Sequence, residues 1–78
     1  MKLCVISVTD GNFVIRSEWT DNEKGAIMAF HSLCTSLWAD TSFAEGYAAI
    51  LDTNLDNYKG YKEFIQHKVE PVEESQPE

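Results

Sequence analysis

The chain predicts a small α+β domain of the form β-β-α-β-(α). Three strands form an antiparallel sheet in the order 2-1-3, and one long helix packs on one face. Three observations lead there. A near-continuous apolar run opens the chain, an Asp-Gly pair divides it from an alternating segment, and a stripe at three- and four-residue spacing follows a capping sequence.

Lys2 to Val8 (KLCVISV) is rich in β-branched residues and barely alternates, the composition of a strand covered on both sides. Asp10-Gly11 then supplies a two-residue hairpin loop, because a type I′ turn needs positive φ at both positions. Phe13 to Trp19 (FVIRSEW) forms the second strand. With Asp10-Gly11 as the loop, Val8 faces Phe13, Ile6 faces Ile15 and Cys4 faces Ser17. A slip of one residue would break this apolar agreement, so the register is specified. This reading turns the Cys4, Ile6 and Val8 side toward the helix. Leu3, Val5 and Val14 then point away from it, with Arg16 and Glu18 beside them.

Thr20-Asp21-Asn22-Glu23 reads as a capping box, Thr20 accepting from the Glu23 amide and Glu23 returning to the Thr20 amide. Acidic side chains also suit the positive end of a helix. The helix is expected from Asp21 to Ala39, with Ala26, Ile27, Phe30, Leu33, Cys34, Leu37 and Trp38 as its apolar stripe. Gly25 lowers helix propensity and is expected to allow close approach to the sheet. Ala44 to Asp52 is the third strand, ending at an Asp52-Thr53-Asn54 turn. Tyr58 to His67 fits either a strand or a helix; Tyr58, Tyr61, Phe64 and Ile65 favour a short helix over residues 60–66. Residues 1–67 make one domain. Residues 68–78 are a tail of Glu, Pro, Ser and Gln too polar to offset its ordering entropy, and are expected to be mobile.

The 78 residues carry a net charge of −7. The four glutamates of residues 69–78 hold −4 of it and leave −3 on residues 1–68. Six Lys and Arg in all argue against a surface that tracks nucleic-acid phosphates. An acidic chain suits a partner with a basic surface. No apolar stretch approaches the roughly 20 residues of a membrane helix, and the opening run is too short for a signal peptide; a cytoplasmic protein is expected. The two cysteines read as buried free thiols of a reducing compartment.

Candidate chemistry is thin. His31 and Cys34, with Cys4, offer three zinc ligands but no clear fourth. Cys34 with His31 also lacks the electropositive, partly exposed setting of a reactive thiolate. Asp52, Asn54, Asp56 and Glu63 depart from the twelve-residue calcium loop, and Asx turn chemistry accounts for that stretch. No phosphate-binding or nucleophile-elbow motif is present. The expectation is a protein that is not an enzyme and needs no cofactor. It binds another protein, or a second copy of itself, through a sheet face bearing Leu3, Val5, Val14, Arg16, Glu18 and Tyr47. The alternative is a self-associating domain for a small ligand or metal.

The stretches KLCVISVTDGNF, AFHSLCTSLW and ILDTNLDNYKGYKEFI resemble small accessory proteins of phages and mobile elements in Gram-positive bacteria. The resemblance covers about residues 2 to 66, contains no functional motif and carries over no site. It implies a bacterial, cytoplasmic, non-enzymatic context, in which small acidic proteins sometimes inhibit host nucleic-acid-binding defence proteins.

Overall fold

The computed structural model describes residues 1–68. The acidic segment of residues 69–78 lies outside them. The order of elements is β1 (Leu3–Thr9), β2 (Asn12–Ile15), α1 (Glu23–Ala39), β3 (Glu45–Asp52) and β4 (Asn57–Gln66). The strands form one antiparallel sheet in the order β2-β1-β3-β4. The α+β class, the single long helix and the central place of β1 between β2 and β3 agree with the sequence reading. The sheet has four strands rather than three.

The Asp10-Gly11 loop has φ of 49° and 85°, the positive pair that a type I′ turn requires. The register follows as expected, Ile6 opposite Ile15 and Val8 opposite Phe13. Pairing stops sooner than the sequence suggested. The Arg16 and Ser17 amides both donate to the Val5 carbonyl, at 2.7 and 3.3 Å, so two residues oppose one and the strand bulges. Cys4 therefore does not pair with Ser17. Contact resumes at an isolated bridge between Leu3 and Thr20.

That bridge removes Thr20 from the helix. The N-cap is Asn22, whose Oδ1 accepts from the Gly25 amide at 3.0 Å. Thr20 Oγ1 accepts from the Asn22 amide one step earlier, and the helix begins at Glu23 rather than Asp21. Gly25 serves the cap and not the sheet: a Cβ there would lie 2.8 Å from the Asn22 side-chain nitrogen. The glycine that permits close backbone approach is Gly46, where a Cβ would fall 2.2 Å from the Val8 carbonyl oxygen.

The segment expected as a short helix is β4. Its register against β3 jumps from Lys62 opposite Ala49 to Asn57 opposite Leu51. The residues between loop out, with positive φ at Lys59 (48°) and Gly60 (76°). The Asn57 amide group fills the gap by donating to the carbonyls of Tyr61 (2.6 Å) and Ile50 (3.3 Å). The bulge puts Tyr58, Tyr61 and Ile65 all on the helix side, where they pack on the core. Their three- and four-residue spacing imitates a helix for this reason.

The faces of the sheet are also the reverse of the expected ones. Leu3 and Val5 lie under α1, at 3% and 0% exposure, with Ala48, Ile50 and Ile65 against Ala26, Phe30, Cys34 and Leu37. Cys4, Ile6 and Val8 belong to the other face, with Tyr47, Ala49 and Leu51. Chain geometry explains the choice. A two-residue loop makes Thr9 and Asn12 a hydrogen-bonded pair, so Thr9, Ser7, Val5 and Leu3 aim their peptide groups at β2. β2 and β3 run parallel on either side of β1, so α1 makes a crossover between them. For L-residues in this register, a right-handed crossover lays the helix over Leu3 and Val5, and right-handed crossovers prevail almost without exception. A doubly apolar strand has no alternation with which to signal this.

Candidate interaction face

The uncovered face is built in cross-strand rows. Ile15, Ile6, Ala49 and Lys62 form one row, and Phe13, Val8, Tyr47 and Phe64 the next. The centre is filled by small or slender side chains: Cys4, Ile6 and Ala49 are buried in a cluster of their own. The margins are not. Phe13 is 56%, Ile15 55% and Phe64 69% exposed. On one flank the Lys62 ammonium sits 4.2 Å from the Tyr47 ring centroid and 4.9 Å from that of Phe64. The two rings are 5.8 Å apart. Lys62 thus shields part of an aromatic pair while keeping its charge in water. Beside this pair lies an open depression of about 450 Å³, lined in part by Val8, Tyr47, Phe64, Asp10 and Glu45. Apolar floor, aromatic wall and acidic lip occur together there.

Of the surface residues expected from sequence, Tyr47 lies on this face. Leu3 and Val5 are core and are unavailable to a partner. Val14 opposes Ser7 and so lies on the helix side of the sheet, 39% exposed. Arg16 turns to the same side, its Nε donating to the buried Ser7 Oγ at 2.8 Å. Glu18 is exposed in the connection between β2 and α1. Phe13, Ile15, Lys62 and Phe64 were not singled out. The period-2 pairing of Phe13 and Ile15 with Val8 and Ile6 was visible; what was missing was the side on which the helix lies.

The candidate chemical groups separate. Cys4 lies on the uncovered side and Cys34 under the helix, and both are free. Burial raises the Cys4 thiol above its usual range. Burial, with the Glu63 charge, pushes Cys34 up to about 11. His31 is exposed, its ring edge-on to Phe30 and Tyr61, and His67 stacks edge-on with Phe43 and Trp38. Asp52 spends its carboxylate on its own turn, Oδ1 accepting from the Asn54 and Asp56 amides. Among the described residues no group of three or more His, Cys, Asp or Glu is placed to hold a metal ion. None of the described helices is long and apolar enough to cross a membrane. No family model, curated protein or solved structure matches the chain.

Proposed function

We propose that the protein is a small, non-enzymatic interaction module that binds another protein through its uncovered sheet face. The single observation that carries this is the exposure of Phe13, Ile15 and Phe64 around an apolar floor on a sheet whose other face is closed by α1. Two phenylalanines and an isoleucine more than half exposed amount to roughly 350 Å² of apolar surface, taking about 200 Å² for a large side chain. That is within the range of about 300–600 Å² at which a monomer's largest patch is often functional. Aromatic residues are the types enriched where proteins meet.

The charge favours a basic partner. The chain carries −7 overall, and Asp10 and Glu45 stand at the lip of the depression. Inhibition of a nucleic-acid-binding host protein, by occupying its basic groove, is the narrower form of this reading and fits a cytoplasmic accessory protein of a phage or mobile element. Binding of that kind weakens as salt rises, since exposed charges are screened beyond about 10 Å at 0.1 M.

The test compares wild type with Phe13→Glu and Ile15→Glu as baits in bacterial lysate treated with nuclease. Both substitutions fall at exposed positions, so the circular dichroism spectrum stays that of the wild type. One stoichiometric partner, captured by wild type and lost by both variants, is the expected result. Capture that is equal for all three baits, or no partner at all, sinks the reading.

A further inference from the structure

We infer that β4 is a dimerisation edge, pairing antiparallel with β4 of a second copy about a twofold axis through Phe64. This goes beyond the sheet-face reading; the two share Phe64, while Phe13 and Ile15 belong to the face alone. The direction of the free hydrogen-bonding groups comes first. The His67 amide donates to the Ala44 carbonyl at 2.8 Å across the β3–β4 ladder, while on the other flank of β3 the Asp10 amide donates to Glu45 at 2.9 Å. Peptide groups alternate in direction along an antiparallel ladder. Glu63 and Ile65 therefore aim at β3, and Lys62, Phe64 and Gln66 aim their N–H and C=O groups outward. β4 ends the sheet, and among the described residues β3 is its only strand partner. Its regular stretch from Tyr61 to Gln66 holds no proline and lies beyond the bulge at Lys59 and Gly60; of the devices that blunt an edge it carries only the charges of Lys62 and Glu63, which restrict the registers in which it can pair. The opposite edge, β2, has four residues and runs straight into its own bulge.

Charge then selects the register. In a twofold antiparallel pair, opposed residues share a face, so the axis passes through one residue and its own mate. An axis at Lys62 opposes two lysines, and an axis at Glu63 opposes two glutamates. An axis at Ile65 brings Lys62 against Lys68, an axis at Gln66 keeps only Phe64 to Lys68 paired among the described residues, and an axis at Tyr61 runs into the bulge at Lys59 and Gly60. With the axis at Phe64, Lys62 meets Gln66, Glu63 meets Ile65 and Tyr61 meets His67, with no like charges opposed. Phe64 is also an outward-directed residue, so it exchanges two backbone hydrogen bonds with its mate. The Lys62–Gln66 pairs bring the total to about six. Phe64, 69% exposed in one chain, then lies against its mate, and two four-stranded sheets become one.

The test is sedimentation equilibrium of the full chain from about 1 µM to about 1 mM, the span in which weak specific association is populated. A concentration-dependent dimer is expected. Gln66 gives a diagnostic pair of variants, because within the chain it opposes Glu45 on β3, whereas across the proposed axis it opposes Lys62 of the second copy. Gln66→Lys raises the thermal midpoint of the monomer and weakens the dimer about five- to tenfold, as expected of cross-strand charge pairs counted twice. Gln66→Glu does the opposite on both counts. Phe64→Pro removes an outward N–H without touching the β3 ladder, and abolishes the dimer. A monomer at every concentration overturns the inference, as does a dimer indifferent to both Gln66 substitutions. If Phe64→Pro unfolds, the Gln66 pair still decides. Phe13→Glu and Ile15→Glu, which test the sheet-face reading, leave this dimer intact.

Discussion

At the scale of single residues, position on one face or the other of β1 decides what a substitution does. Val5 is fully buried under α1, while Ile15, on the opposite face of the same sheet, is more than half exposed. Val5→Glu buries an unpaired carboxylate and unfolds the domain, seen as loss of the circular dichroism signal; Ile15→Glu leaves it intact. Phe30→Ala removes a ring from the centre of the same core at a cost of about 3–5 kcal/mol. A core of this size supplies about as much in total, so the variant is expected to be largely unfolded at room temperature. The cysteines report the same partition by reactivity. Their thiols are held above the usual range by burial, so a disulfide reagent at neutral pH labels neither in the native protein, and labels both in guanidinium. Rapid labelling of either thiol in buffer would contradict the packing described.

At the scale of elements, three substitutions concern the start of α1. Asn22→Ala removes the side-chain acceptor for the Gly25 amide and costs about 1 kcal/mol, lowering the thermal midpoint by about 4–8 °C. Thr20→Ala should cost less helix, because Thr20 pairs with Leu3 through its backbone. Glu23 ties the first turn of the helix to the bulge of β4. Its carboxylate accepts from the Tyr58 hydroxyl and from Lys59 Nζ, and both bonds hold its pKa below the ordinary value. A carboxyl whose folded pKa is depressed stabilises above its unfolded pKa, and that contribution is lost as pH falls through the folded value. Glu23→Gln should therefore differ from wild type in thermal stability at neutral pH, with the difference closing below pH 4 or so. The difference is small, since all three groups are solvated. A gap that persisted to strongly acid pH would place the effect elsewhere.

Elements also show how much the sequence disclosed. The Asp10-Gly11 turn, the register of β1 with β2, the body of α1 and the span of β3 were legible, because each rests on local chemistry or a strict period. Thr20 and Asn22 compete for the same cap, and only the Leu3–Thr20 bridge, a long-range contact, decides between them. β4 was hidden by its bulge, which turns a period of two into helical spacing at Tyr58, Tyr61 and Ile65. The candidate face was misplaced because β1 is apolar on both sides. The handedness of the β2–α1–β3 crossover held the answer, though no individual residue does.

At the scale of the whole molecule, one layer of helix covers one side of a four-stranded sheet. The covered side is a continuous core that includes Phe43 from the loop after α1. The other side keeps its inner rows dry with Cys4, Ile6 and Ala49, and presents aromatic margins. A chain built this way has two places to meet others, the face and the β4 edge, which adjoin at Phe64. They make separable predictions: changes at Phe13 or Ile15 act on a foreign partner, and changes at Gln66 act on self-association. A double variant, Ile15→Glu with Gln66→Lys, should therefore lose its foreign partner and dimerise about five- to tenfold more weakly, yet be at least as heat-stable as Ile15→Glu alone. Non-additive loss of stability in that variant would show that the two surfaces are coupled.

The central position of β1 has a consequence for how the molecule comes into being. Of the described elements β1 is synthesised first, and its hairpin partner follows within a few residues, but its other edge is closed only when Gly46 to Asp52 arrive. Until then the hairpin carries apolar side chains on both faces and an unpaired backbone edge. That closure spans more than thirty residues of intervening chain, including all of α1, so the slow step in folding is expected to be the docking of β3 rather than the formation of either local element. The early hairpin is then the species most exposed to aggregation. Asp10 lies at the point where this closure begins: its carboxylate accepts from the Ala44 and Glu45 amides and its own amide donates to Glu45, so the turn that starts the sheet also receives the strand that completes it.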